Sequence, residues 1–573
     1  MGISKMKLKK TIIGCTIALL AFSAAGCTTK TATEETPANE TASSTPAATT
    51  ATTDATPQAA IDPLAKYDPP IEITAVKKIS DGTKYLNGDS LESNVWSKAY
   101  EEALGIKIKY LWTAPQAQYE QKSNIAIATA DLPDVMEVNV TQLKKMADDG
   151  QLEDLTDVYK QYAAPFTQEI LASDGGNAIK SATFDGKLLA LPQMGSGLGQ
   201  TDVLWVRSDW LKKLNLPEPK TMADVLKISE AFTTQDPDGN SKADSFGLGM
   251  NKDVADGAGN YFAATEGFFN GYHAYPNIWV KDAAGKLVYG STQPEMKTAL
   301  GKLHELYAAG QIDKEFGTKD AGKVKEAANA GKLGMLYGYF WNIGAGWLQD
   351  GKVANSAAEW TPYAIPTIDG QPANAQVPFA ITTYFVVKKG AKNPEAALKM
   401  LNLALEKNYG KTAEPEKFNV DKDGTAVFSY ALLYGEAPRK NLDAYLHVTS
   451  ALESKDASQL NAEEKGYYDN SLKFLAGDVN FYGNYKMYGP LGSLSVIDGY
   501  SKNKTLMDDQ YFGAPTTTMT QSNSTLKKLQ IEAFTSIIIR GKMEEFDQYV
   551  TKWKQLGGDK ITEEVNTWFA TQK

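Results

Sequence analysis

The sequence predicts an α/β protein. Three observations carry that reading: period-two alternation in IEITAVKKI (71–79) and IKIKYLW (106–112), the amphipathic stretch SNVWSKAYEEALG between them, and the β-branched run VPFAITTYFVVKKG followed by the helical EAALKMLNLALE. Alternation puts every second side chain on one face of a strand, whereas the intervening stretch repeats its apolar residues at helical spacing and stops at Gly105. Strand, helix and strand in that order make a βαβ unit. A chain of 573 residues exceeds the usual single-domain size, so at least two domains with substantial cores are expected.

The chain opens on MGISKMKLKKTIIGCTIALLAFSAAGC: a basic stretch, an apolar run from about Thr11 to Phe22 and a small-residue ending, the layout of a secretory signal. That run is too short for a stable spanning helix, and no later stretch approaches the roughly 20 apolar residues that crossing a bilayer needs. Ala24-Ala25-Gly26-Cys27 resembles the bacterial lipobox, although Ala24 stands where that pattern usually has Leu. The resemblance implies a diacylated Cys27 as the mature N-terminus, anchored to the cell membrane. Cys15 lies within the leader, leaving no cysteine for a disulfide, a thiolate metal site or a thiol nucleophile. The leader carries four lysines and no acid, so its removal takes the net charge from -10 to -14, which argues against a nucleic-acid partner. Residues 28–62 are rich in Thr, Ala, Ser, Pro and Glu with almost no large apolar side chain; they cannot form a core and read as a flexible tether.

Further elements follow in order. DVMEVNV is a strand, TQLKKMADDG and DLTDVYKQYA are helices, and SATFDGKLLALPQM is a strand pair. VLWVRSDW opens a second set, in which Thr221 and Asp224 form a capping box for a helix through DVLKISEAF. EMKTALGKLHELYAAG is a helix stopped by Gly310, GKLGMLYG a short strand, and VPFAITTYFVVKKG one long apolar stretch before a helix with Asn393 as N-cap and Pro394 at its first position. The chain ends in helices: Leu526, Leu529, Ala533 and Ile537 share one face, Met543, Phe546, Val550 and Trp553 a second past Gly541, and Ile561, Val565, Trp568 and Phe569 a third past Gly557-Gly558.

The ordered blocks DLPDVMEVN, TFDGKLLALP, VLWVRSDWLKKLNLPEPKTMADV, PEMKTALGKLHELYAAGQIDKEF, NPEAALKMLN and EAFTSIIIRGKMEEFDQYVTKWKQLGGDKITEEVNTWF resemble landmarks of the LplA-like extracellular solute-binding lipoproteins, family 1 oligosaccharide-binding components of ABC importers. They span most of residues 70–570. The resemblance implies a two-lobed periplasmic-binding-protein-like fold, two α/β lobes joined by a hinge and closing on an oligosaccharide. The implied division is a signal peptide (1–26), a disordered tether (27–66), the first part of the N-terminal lobe (67–197), the first part of the C-terminal lobe (198–376), a return segment of the N-terminal lobe (377–435) and the second part of the C-terminal lobe (436–573).

One loop, TQDPDGNSKADSFG (234–247), spaces Asp236, Asp238, Asn240, the backbone carbonyl of Lys242, and Asp244 as positions 1, 3, 5, 7 and 9 of an EF-hand-like loop, where hard oxygens gather around Ca²⁺. Ser241 replaces the glycine of position 6 and Gly247 the bidentate glutamate of position 12. Alginate-binding relatives within the resembled family carry a similar acidic loop that holds calcium away from the sugar. The alternative is an Asx-rich turn between helix and strand.

Catalytic motifs are not evident. GSGLG (195–199) precedes the strand-like VLWVR, whereas a dinucleotide loop must open a helix, so it reads as a crossover between lobes. His273, His304 and His447 show no metal-pair spacing, and no GxSxG elbow occurs. Acidic residues are numerous enough to supply a glycosidase pair, yet nothing marks two as partners.

A sugar cleft needs apolar ring faces and polar groups beyond the carboxyl ends of strands. That rule selects Tyr85, Trp112, Asn139, Trp341 and Trp347, together with Tyr488 and Phe512 in glycine-rich loops; each aromatic could equally be packing, and Trp553 and Trp568 are expected in the core. Arginine occurs only at Arg207, Arg439 and Arg540, few clamps for uronate carboxylates, which favours neutral glycans. The expected function is a monomeric, lipid-anchored extracytoplasmic receptor, not an enzyme, that passes an oligosaccharide to ABC permease subunits. A secreted polysaccharide hydrolase or lyase, or a surface glycan sensor or adhesin, are the alternatives.

Overall fold

The computed structural model describes residues 61–79, 83, 85, 86, 88–257, 261–421 and 425–572; the leader, Cys27 and the tether as far as Ala60 lie outside the described residues. Two sheets organise the chain. The first runs, edge to edge, Ile106–Pro115, Ile71–Ile79, Val135–Asn139, Thr383–Val387 and Leu191–Pro192. Its first three strands are parallel, as the βαβ reading requires, with Ile71 opposite Ile106 and a bulge after Ala75. Thr383–Val387 returns antiparallel, placing Val387 opposite Val135 and Thr383 opposite Asn139. Between the first two strands, Asn94 caps a helix that widens into a π turn over Tyr100–Leu104 and ends at Gly105, whose φ of 67° suits a residue without a Cβ.

The second sheet runs Trp360–Tyr363, Asp202–Arg207, Leu333–Tyr339 and Phe246–Leu248, with Phe262–Ala264 also paired to Leu333–Tyr339. Its central strands are buried along their whole length, which explains their continuous apolar run in place of alternation. Trp205 is fully buried and its indole N–H donates to the carbonyl of Tyr339 at 3.3 Å. Arg207 is no ligand clamp: it is buried, forks onto Asp209 at 2.8 and 2.6 Å, and lies over the Trp210 ring.

Apolar packing divides the same way. One cluster joins the first sheet to the helix Glu395–Tyr409; the other joins the second sheet to the helices Glu295–Ala308, Lys440–Ser454, Thr517–Arg540 and Glu544–Trp553. The predicted capping box of Thr221 and Asp224 forms, and Gly541 ends the long helix with φ 73°. The apolar stretch VPFAITTYFVVKKG divides between two sheets: Ala375–Val377 pairs with Leu506–Asp508, Thr383–Val387 joins the first sheet, and Pro378, lacking an N–H for a ladder, stands in the break. One expectation needs correction. The helix expected to be capped by Asn393 instead has Pro394 as its cap residue and begins at Glu395.

The chain passes between the sheets three times, through 193–201, 378–382 and 431–439, and the crossings lie side by side. Gln193 N–H donates to Thr383 O at 3.0 Å, Glu436 N–H to Met194 O at 2.9 Å, and Ser196 Oγ to Pro438 O at 3.1 Å. GSGLG belongs to the first crossing, as its sequence context implied.

Candidate functional site

The crossings border two adjoining cavities, a recess of about 160 Å³ and a wider one of about 340 Å³, which share Pro378, Phe379 and Asp509. Breaking the apolar run at Pro378 is what delivers Phe379 to this place.

The recess is acidic. Asp202, first residue of its strand and 5% exposed, accepts the Gly267 N–H on Oδ2 at 2.8 Å, while its Oδ1 is buried without a hydrogen-bond partner. Glu266 opens the short helix Glu266–Asn270 and accepts from Gly257 N at 2.9 Å and Thr265 N at 3.0 Å. Asp509 accepts from the N–H groups of Trp279 and Tyr511, both at 3.0 Å. Burial pushes the Asp202 carboxyl up to about 7; burial and then the charge of Asp202 push Glu266 up to about 8. Asp509, half-exposed to the recess, is raised by the same loss of hydration. Amides complete the wall. Asn270 Nδ2 donates to Ala274 O and Gln376 Oε1, both at 3.1 Å, and Gln376 Nε2 donates to Pro276 O at 2.9 Å.

Aromatic rings continue outward. Phe379 lies 6.2 Å from Phe512, which meets Trp568 edge-on at 4.8 Å. Trp568 is half-buried: it packs against the larger apolar cluster, as its helical face implied, and also borders a groove of about 830 Å³ beside Phe184 and Lys180. Trp553 is core, stacked 5.2 Å from Tyr289.

The seven ligand candidates disperse. Phe512 adjoins the cavity residue Phe379. Trp341 and Trp347 form a half-buried cluster with Tyr261, and Trp341 lies 6.0 Å from Tyr339, a recess residue. Tyr85 packs on Tyr430 at 5.0 Å and Trp112 on Tyr119 at 5.6 Å, and neither lines the recess. Asn139 caps the helix Val140–Asp148, its side chain accepting from Gln142 N, so its carbonyl oxygen is already engaged. Tyr488 is corrected outright: it ends a helix, is 3% exposed, stacks on Tyr467 at 3.9 Å and donates to Asn441, leaving no open ring face. Asp202, Glu266, Asp509 and Phe379 were not singled out from sequence; only their position beside chain crossings distinguishes them.

The loop at 236–244 is ordered by its own groups. Asp236 accepts the N–H groups of Gly239, Asn240 and Ser241, each at 3.0 Å, and Asn240 Nδ2 bridges Asp238 at 2.7 Å and Asp244 at 3.0 Å. Ser241 adopts φ 61°, the left-handed turn that glycine provides in an EF-hand, so the serine does not prevent the loop shape. Gly247 leaves the last ligand missing: a Cβ there would meet Ser229 O at 2.2 Å, so no glutamate fits. Lys332 pairs with Asp244 at 3.4 Å and competes for its charge. Among the described residues, no three His, Cys, Asp or Glu side chains converge as a metal cage. The donor types suit a hard cation, with fewer ligands than a full EF-hand.

Three histidines are tied elsewhere: His273 to Asp369 at 3.0 Å, His304 to Ile538 O at 2.9 Å and His447 to Glu464 at 2.7 Å.

Comparison with known proteins gives the family. The chain is 24% identical over 486 residues to "Lipoprotein LipO" of Bacillus subtilis (strain 168), covering 83% of this chain and 89% of that protein. Its fold is similar to an HMO-binding, ABC-transporter-associated solute-binding protein from Bifidobacterium longum infantis ATCC 15697, with TM-score 0.61, 17% identity, and coverage of 87% of this chain and 98% of that one. It is likewise similar to the S. pneumoniae substrate-binding protein FusA in complex with kestose, with TM-score 0.58, 17% identity, and coverage of 88% and 99%; an EF-hand mutant of FusA gives TM-score 0.56 and the same identity and coverage. These likenesses agree with a two-lobed α/β fold. Residues 45–411 match the model of the bacterial extracellular solute-binding proteins, and the chain belongs to that family.

Proposed function

We propose that the chain is an oligosaccharide receptor of an ABC importer, anchored outside the cell by a lipid on Cys27 and acting as a monomer. The observation that carries this reading is the cavity at the three crossings, where carboxylates, amides and the Phe379 ring meet: acceptors for sugar hydroxyls beside an apolar face for a sugar ring. The crossings serve as the hinge, and closure over the ligand presents a form that permease subunits recognise. Similarity to proteins named for HMO and kestose supports a sugar of several units. The loop with Asp236, Asp238, Asn240, Lys242 O and Asp244 binds Ca²⁺ structurally, away from the sugar, and the likeness to a protein described with an EF-hand supports it. Trp341, Trp347 and Phe512 extend the aromatic lining, while Tyr85, Trp112 and Asn139 serve lobe packing and capping.

The chain belongs to a family of solute-binding proteins, which favours the receptor reading over a hydrolase. Calorimetric titration of the purified protein with a panel of oligosaccharides tests it. Saturable binding with the sugar recovered intact is expected; turnover of the sugar, or binding to none, overturns the proposal.

A further inference from the structure

We propose that the recess bounded by Asp202, Glu266 and Asp509 is a subsite for an uncharged sugar unit and rejects uronate units. This rests on the oligosaccharide-receptor reading and specifies its substrate class. No lysine or arginine lines the recess, whereas three carboxylates do. Asp202 Oδ1 is buried with no partner, an acceptor that a ligand hydroxyl could satisfy and a ligand carboxylate could not. Most amide donors are already used: both Asn270 Nδ2 hydrogens serve Ala274 and Gln376, and Asn277 Nδ2 donates to Ala255 O at 2.6 Å. Gln200 and Tyr339 add donors to the lining, but the three carboxyls leave what faces a ligand richer in acceptors than in donors. A sugar hydroxyl, which donates and accepts, fits that wall. A uronate carboxylate, which only accepts and carries a charge, would face three carboxyls with no cation lining the recess beside them, where burial and then the charge of Asp202 already hold the Glu266 carboxyl high. At about 5 Å and a surface-like dielectric, one such repulsion corresponds to roughly a hundredfold loss of affinity.

Calorimetry on the purified protein at about pH 9, above the raised Asp202 and Glu266 values so that both are ionised, tests the subsite with two probe sets, neutral fructo-, xylo- and galacto-oligosaccharides, and oligogalacturonates and alginate oligomers of matched length. Neutral ligands binding at least about a hundredfold tighter than any uronate is the expected result. A uronate that binds as tightly as the best neutral sugar overturns the subsite and leaves the receptor reading intact; binding of neither set overturns both. With the best neutral ligand, Asp202→Asn and Glu266→Gln should each reduce the neutral-to-uronate affinity ratio by about tenfold. Asp509→Asn, at a less buried position where the amide oxygen can still accept from Trp279 and Tyr511 N–H, should do the same if the other two variants misfold. An unchanged ratio in every variant that folds overturns the proposal.

Discussion

Two regions of this molecule gather carboxylates and give them opposite environments. In the recess, Asp202 and Glu266 are buried, held by backbone N–H groups and stripped of water, and their carboxyls are raised. In the loop, Asp236 lies partly exposed at the surface and three backbone N–H groups hold its carboxyl below the ordinary range, while its neighbour Asp238 is raised by loss of hydration and then by the adjacent acids. On the proposals made above, the same functional group would accept from sugar hydroxyls in one place and ligate a hard cation in the other. Hydration decides between them, because a charge near water keeps its ionised form and a buried one resists it.

The largest expected effect tests the buried side. A carboxyl whose folded-state pKa lies above its unfolded value holds its proton more tightly when folded, so its contribution favours the folded state at low pH and is lost as pH rises toward the folded value. With Asp202 pushed up to about 7 and Glu266 to about 8, unfolding free energy should fall between about pH 4 and pH 8, by at most about 5 kcal/mol per group. Denaturant melts across that range check it, and Glu266→Gln should flatten the slope; a protein equally stable at pH 5 and pH 9 would remove the contrast.

Next comes the exposed side. If the loop holds Ca²⁺, a chelator should lower the melting temperature by a few degrees, because an ion that binds only the folded state stabilises it by mass action. Asp236→Ala should abolish that response without altering sugar affinity. Identical melting curves with and without chelator, and no calcium by elemental analysis, would leave the loop a turn held by its own N–H groups.

Smaller effects are expected from the aromatic faces. Phe379→Ala and Trp341→Ala should each weaken binding of the best ligand by about tenfold, about 1–2 kcal/mol, with little loss of stability. Tyr488→Ala should do the reverse, costing about 3 kcal/mol or more of stability as a buried ring, and equal affinities for wild type and both ring variants would exclude those faces from the site. Smallest of all, Cys27→Ser should change neither ligand affinity nor chelator response while releasing the protein from the membrane; fractionation after a salt wash checks the release.

Local signals were legible where one element sufficed to specify them. Alternation found Ile71–Ile79 and Ile106–Pro115, the Thr221 capping box and Gly541 fixed helix ends, and GSGLG was recognised as a crossing because no helix follows it. Ordered sequence blocks carried the family. The loop's acidic spacing was also visible, since all its donors lie within a few residues of one another.

The site was not legible to the same degree, for a physical reason. Asp202, Glu266 and Asp509 are far apart in sequence, and each alone resembles any acid beside an apolar segment. Tyr488 was misplaced for a similar reason: a helical period states which side chains share a face, but only the neighbouring segments decide how far that face is covered, as Tyr467 covers Tyr488, while Trp568 packs on the core and still borders a groove. The sequence by itself determined the α/β class, the element order and the chemistry of the loop, because those follow from backbone geometry and short-range spacing. Tertiary structure alone decided which carboxylates lost their water and which ring stands open beside them, because hydration depends on atoms hundreds of residues away along the chain.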